Sequence, residues 1–186
     1  MKKLSLLALI LIITCTVSMA QPRAIGGRLS WGIGPSYQHQ IGEKNMIQVD
    51  VDFIAYGLWG VQTTATYNWI IPLKSWDVAN WNLYAGVGIG GGYEWWGTTG
   101  MYFTSTYPTN VAGKCGFVGV AGMVGMEWNF KFPLQLFIEY RPVIGTRLYQ
   151  TFYSNYTQKG VGTSFYYDGL WATAFAVGAR YKFGGK

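Results

Sequence analysis

The residues of this 186-residue chain that could do chemistry are few and share a spacing. Asp50 and Asp52 stand two apart, as do Glu139 and Arg141, and Arg180 and Lys182, while Arg28, Glu94 and Glu127 occur singly among small or apolar neighbours. Charges held at alternate positions suit ion pairing inside a narrow lumen, where arginine offers carboxylates a planar, two-pronged donor. They do not suit lipid hydrolysis, which usually requires a His within reach of a Ser and an acid. The one histidine, His39, lies three residues from Ser36, so the two point to opposite faces of any strand that holds both. One His and two cysteines, Cys15 and Cys115, supply no metal cluster. The run Gly86, Val87, Gly88, Ile89, Gly90, Gly91 satisfies G-x-G-x-x-G, but a nucleotide loop must close a strand and open a helix, and here a two-residue period continues straight through. The sequence therefore implies no enzyme and no cofactor. The formal net charge of +6 is scattered without a basic run, which gives no reason to expect nucleic acid.

The elements that must position these charges are strands. From Trp171 to Phe183, one face reads Trp171, Thr173, Phe175, Val177, Ala179, Tyr181, Phe183 and the other Ala172, Ala174, Ala176, Gly178, Arg180, Lys182. A bulky apolar face backed by a small one with cations is the pattern of a strand between lipid and a narrow wet lumen. The same alternation covers Gly27 to Gln40, Ile47 to Gly57, Val61 to Ile71, Leu83 to Trp95, Val118 to Phe130 and the segment from Leu134 to Ile144. Inward glycines such as Gly86, Gly88, Gly90 and Gly92 would make room for large side chains from facing strands.

Lys2 and Lys3, the apolar stretch Leu4 to Ile13, and Ser18, Met19, Ala20 read as a secretory signal peptide over 1–20, with the domain at 21–186. A lipoprotein anchor at Cys15 is disfavoured by Thr14, where such sites want a smaller residue. No later run approaches the ~18 apolar residues of a spanning helix. Strands of about 10 residues allow eight in this length, not sixteen. Short turns at 42–45 and 131–133 are expected in the periplasm, and the long stretches 97–116 and 146–169 outside the cell. Seven alternating segments would leave the N-terminus on the wrong side. Either the first long segment contributes two pairing strands or a long loop hides one, and the expectation is eight.

A soluble barrel also alternates, but its outer face is rich in Lys and Glu. Here charged residues make up 12% and aromatics 18%, with 26 glycines, and the face opposite the bulky one is Gly, Ala, Ser, Thr and Gln. That face is too small and uncharged for a solvated exterior. Trp69, Trp95, Trp128, Trp171 and Tyr181 fall near strand ends, where an aromatic girdle would sit. The expected architecture is an all-β transmembrane antiparallel up-and-down barrel. The runs RAIGGRLSWGIGPSYQHQIGEKN, FPLQLFIEYRPVIG and FAVGARYKF resemble small outer-membrane β-barrel proteins of the OmpX and OmpA-barrel group, over essentially the whole mature chain. The resemblance implies residence in a bacterial outer membrane, and the expected state is a monomer. It also implies that barrel-assembly machinery reads the last strand, at Phe175, Val177, Tyr181 and Phe183. Gly184, Gly185 and Lys186 follow, whereas many members end on the aromatic.

With these parities the lumen holds Arg28, Asp50, Asp52, Glu94, Glu127, Glu139, Arg141 and Arg180, with Lys182 near its end. Charges in so narrow a space are costly unless paired. The expectation is a ladder of ion pairs plugging the lumen, the alternative a narrow pathway for ions or small polar solutes. Tyr102, Phe103, Tyr107, Tyr149, Phe152, Tyr153, Tyr156, Tyr166 and Tyr167 populate the long outer stretches. Aromatics there could bind an extracellular glycan or protein, or could extend the strands and pack together.

Overall fold

The structure, a computed structural model, describes residues 22–54, 59–75, 77–96, 111–153, 159–168 and 174–184. The expected signal peptide, Tyr102, Phe103, Tyr107, Tyr156, Trp171 and Thr173 lie outside the described residues. One antiparallel sheet contains β1 (Arg23–Leu29), β2 (Gly32–Ile41), β3 (Asn45–Ile54), β4 (Trp59–Ser75), β5 (Ala79–Trp96), β6 (Val111–Phe130), β7 (Leu134–Tyr140), β8 (Val143–Tyr153), β9 (Lys159–Asp168) and β10 (Phe175–Phe183). It closes on itself as an eight-stranded barrel, β1 pairing with β10 and β5 with β6.

Segments outnumber barrel strands because two strands are interrupted. β7 and β8 follow one register against β6, with Val124 opposite Tyr140 and Ala121 opposite Val143. Between them Pro142 has no N–H to give, yet its carbonyl accepts from Gly122 N at 2.9 Å, so the ladder continues. β9 pairs with β8 and β10 with β7, along the same neighbour.

The stretch from Gly27 to Gln40 is not one strand but most of a hairpin: Leu29 pairs with Ile33, and Ser30 N donates to Gly32 O at 2.7 Å across the turn. This first pairing supplies the strand that the sequence left unplaced, and it brings Arg23 beside both His39 and Phe183. Both described chain ends therefore emerge at the end that carries the turns at 42–44 and 131–133. Gly42 there takes a φ of 68°, which only glycine adopts without strain. The outer stretches are more regular than expected. β6 begins at Val111, and most of 146–169 is paired strand, with Phe152 opposite Lys159. Ser, Thr and Gly in that run lower its apparent strand content, but the ladder with β6 recruits it.

Burial follows the two-residue period. Along β10, Phe175, Val177, Ala179 and Tyr181 are exposed while Ala176 and Arg180 are buried. Along β3, Met46, Gln48, Asp50, Asp52 and Ile54 are buried. Large rings lie against inward glycines. A Cβ on Gly125 would fall on the Tyr84 ring, one on Gly178 on the Phe137 ring, and one on Gly92 within 2.6 Å of Phe117 Cζ.

Candidate functional site in the barrel lumen

Four strands and one strand junction deliver six charged side chains to one place. Arg28 comes from β1, Asp50 and Asp52 from β3, Glu139 from β7, Arg141 from the β7–β8 junction and Arg180 from β10, each no more than 6% exposed. Arg28 reaches Asp52 at 2.8 Å, Glu139 at 3.1 Å and Asp50 at 3.7 Å. Arg141 reaches Asp52 at 2.5 Å and Asp50 at 3.1 Å, and also contacts the Thr64 hydroxyl. Arg180 lies 3.6 Å from Glu139, and its guanidinium carbon sits 3.6 Å from the centroid of the Phe137 ring. Arginines and carboxylates are equal in number, so the cluster is formally neutral, as burial at this depth requires.

Neutral side chains complete the network. Ser36 Oγ donates to Asp50 at 2.5 Å and accepts from Arg180 Nε at 2.9 Å and Nη2 at 2.7 Å. Gln48 Nε2 bridges Asp50 at 2.9 Å and Glu139 at 2.8 Å, and Tyr84 Oη donates to Glu139 at 2.9 Å. Asp50 and Glu139 thus have hydrogen bonds beyond their ion pairs, which is what offsets the cost of drying them.

Glu94 and Glu127 stand apart from this cluster. Glu94 pairs with Arg147 at 3.3 Å, toward the end of the lumen away from the short turns. Arg147 was not among the sequence candidates because it lies in a stretch that reads as irregular, although its odd position matches Glu139 and Arg141. Glu127 is held by amides instead of a cation: Gln38 at 3.1 Å, Asn82 at 2.9 Å, Asn129 at 2.8 Å and Gln135 at 2.8 Å. The charges thus fall at three heights, the Glu127 group joined to the central cluster through Gln135, which donates to Glu127 at 2.8 Å and accepts from Arg180 at 3.4 Å, because strand stagger sets the height of each residue and parity does not.

Two apolar clusters pack among them. Phe117, Ala121 and Val143 pack together, with Val143 lying between Arg141 and Arg147 along the strand. Met46, Tyr84 and Met123 pack together on the other side, toward Glu127. Cys115 is buried with a free thiol opposite Glu94. The parity argument for the histidine corresponds to the geometry: His39 lies beside Tyr37, with Nδ1 3.4 Å from the phenol oxygen, while Ser36 points into the lumen network.

Of the aromatic surface candidates, Tyr149, Phe152 and Tyr153 fall in β8 and Tyr166 and Tyr167 in β9, and only their backbone pairing is described. Phe165, also in β9, is 68% exposed.

No family model and no curated protein sequence matches the chain. Among solved structures it is similar to the crystal structure of a major outer membrane protein from Thermus thermophilus. The TM-score is 0.53 at 11% identity, over 88% of this chain and 98% of that one. At that identity the likeness is one of fold.

Proposed function

We propose that this chain is a non-enzymatic barrel of the bacterial outer membrane, closed by its lumen network, with a structural or surface-binding role carried by the β5–β6 and β8–β9 hairpins. The observation that carries the reading is inversion: charge inside and apolar side chains outside. Ile89, Val120 and Ile144 stand opposite one another on three adjacent strands, at 68%, 64% and 41% exposure. Val87, Val118 and Val124 extend the band. A continuous apolar surface of this kind exceeds what a water-soluble monomer carries, and burying it in acyl chains gains about 25 cal/mol per Å². Similarity to an outer membrane protein of Thermus thermophilus supports the same location. In that orientation the end carrying the short turns faces the periplasm, and the last strand, with Phe175, Val177, Tyr181 and Phe183 outward, meets the assembly machinery.

The location is tested by Val120→Arg. Val120 is central on β6, so in vesicles the substitution is expected to cost about 2–4 kcal/mol of folding free energy. A soluble barrel, with Val120 facing water, would change by no more than about 0.5 kcal/mol, and that result would reject the membrane reading.

Closure is tested electrically. An ion crossing the lumen would have to pass the Phe117 layer, the neutral cluster and the Met46 layer, none of which offers it a continuous line of hydrating oxygens. The refolded protein, verified by its gel mobility before and after boiling, is expected to be silent in a planar bilayer. Steady ion-selective openings would instead support the narrow channel.

A further inference from the structure

The lumen is closed in the middle but open at the end where both described chain ends emerge. There a vestibule of about 490 Å³ is lined by Glu127, by the amides that hold it, and by Arg23, Lys131 and Lys182. It is blind, since Met46, Tyr84 and Met123 pack at 0–2% exposure on its inner side. At its floor stands a charge without its opposite. Asp50, Asp52, Glu94 and Glu139 each have an arginine, whereas Glu127, 3% exposed, has no cation within ion-pairing distance among the described residues. A charge that has been dried is ordinarily paired, because amide hydrogen bonds alone offset only part of the cost.

The amides also decide where that charge is felt. Asn82 and Asn129 donate to Oε1 of Glu127, and Gln38 and Gln135 to Oε2. Two hydrogen bonds on each oxygen fill the carboxylate, so a ligand cannot touch it directly. An amide that points its nitrogen at a carboxylate turns the negative end of its dipole, the carbonyl oxygen, the other way. Asn129 Oδ1 accepts from Gln135, and Gln135 Oε1 accepts from Arg180. The oxygens of Gln38 and Asn82 accept from none of the described residues and, unlike Gln48 Oε1 and Asn68 Oδ1, neither is sealed from solvent. The floor therefore offers two acceptor oxygens in the field of an uncompensated carboxylate.

The rim has the opposite sign. Lys131 is exposed in the turn at 131–133. Lys182 Nζ donates to Phe130 O at 2.7 Å, which leaves two of its three N–H groups. Arg23 contributes charge more than contact, since its Nε and Nη2 are buried. From this separation of charge we infer that the vestibule binds a short acidic peptide by its amino terminus. The ammonium donates to Gln38 Oε1 and Asn82 Oδ1 and supplies the counter-charge that Glu127 lacks, while the peptide's carboxylates pair with Lys131 and Lys182. A bare anion would meet Glu127 as a like charge, and a neutral sugar would answer neither charge. A volume of about 490 Å³ is within the range of small-ligand pockets. The site depends on the vestibule alone, so it stands or falls separately from closure of the lumen and from the membrane assignment.

The test is calorimetric titration of the folded barrel in detergent micelles at neutral pH with alanyl-glutamate, its N-acetyl derivative and alanyl-alanine. Alanyl-glutamate is expected to bind about tenfold more tightly than the acetylated form, which has lost the ammonium, and about threefold more tightly than alanyl-alanine, which has one carboxylate fewer. Glu127→Gln keeps the shape of the floor and removes its charge, so it should erase the first difference. Lys131→Gln should erase the second and leave the first. Folding of each variant is checked by gel mobility before and after heating, and if Glu127→Gln does not fold, Asn82→Ala removes one acceptor and should shrink the first difference. Equal binding of the free and acetylated dipeptides, or a first difference untouched by the floor variants, would overturn the placement of the ammonium. Equal binding of alanyl-glutamate and alanyl-alanine would overturn the role of the rim, and absence of binding by all three would overturn the proposal entirely.

Discussion

Arg141→Ala is expected to lower the folding free energy of the barrel by about 3–5 kcal/mol, the cost of removing one partner from a buried ion pair. Arg141 is 6% exposed and spans Asp50 and Asp52 at 3.1 and 2.5 Å. Without it Arg28 alone faces both aspartates, at 2.8 Å from Asp52 and 3.7 Å from Asp50, while also serving Glu139. One net negative charge then sits where little water reaches it. The penalty comes from that imbalance more than from lost contacts, so it should be reversible by charge. Arg141→Met combined with Asp52→Asn restores neutrality and should recover a large part of the loss, because well-filled uncharged replacements of buried pairs are often tolerated. Urea midpoints in micelles measure both, with unchanged slopes showing that the same surface unfolds. If the single and double variants unfold at the wild-type midpoint, the network contributes nothing to stability. The single variant should stay electrically silent, since the layers around Phe117 and Met46 do not involve Arg141.

Particular residues show which parts of this arrangement were legible in the sequence. Alternation places Asp50, Glu139, Arg141 and Arg180 on inward positions, because a barrel strand whose other face is apolar sends its charges into the lumen. The hairpin at Ser30 to Gly32 was hidden for a related reason. Its loop has an odd number of residues between the paired Leu29 and Ile33, so the two-residue period passes through the turn unbroken. A two-residue turn would have reversed the faces and exposed itself. Pro142 has the opposite effect, interrupting a strand that the register against β6 shows to be continuous. What periodicity cannot carry is height along the barrel axis. Glu127 and Glu139 have the same parity, yet one collects four amides and the other two arginines, a tyrosine and a single amide. Their difference is set by the stagger between strands far apart in sequence, which no local pattern records. The amide shell of Glu127, and with it the vestibule, was invisible for the same reason.

Gly125→Ala should destabilise the barrel by about 3 kcal/mol or more, and the sign itself is informative. Were only the unfolded chain affected, replacing glycine by alanine would stabilise by about 0.4–1 kcal/mol. Gly125 instead faces the Tyr84 ring, on which an added Cβ would fall, and Tyr84 is 1% exposed with its hydroxyl 2.9 Å from Glu139. Strands paired on both sides of β6 prevent the wall from yielding, so the ring must move. Overpacking costs about 1–3 kcal/mol, and drawing the phenol off a buried carboxylate removes a hydrogen bond worth about 1.5–3 kcal/mol. Tyr84→Leu separates these causes. It loses the hydrogen bond at once but empties the space over Gly125, so adding Gly125→Ala to that background should cost little. The double-mutant cycle is then expected to give a coupling of about 3 kcal/mol. A Gly125→Ala penalty of equal size in both backgrounds would mean that the glycine is needed by the backbone and not by the ring. Loss of the penalty with Leu at position 84 would establish that the inward glycines are the molds into which the lumen's large side chains fit.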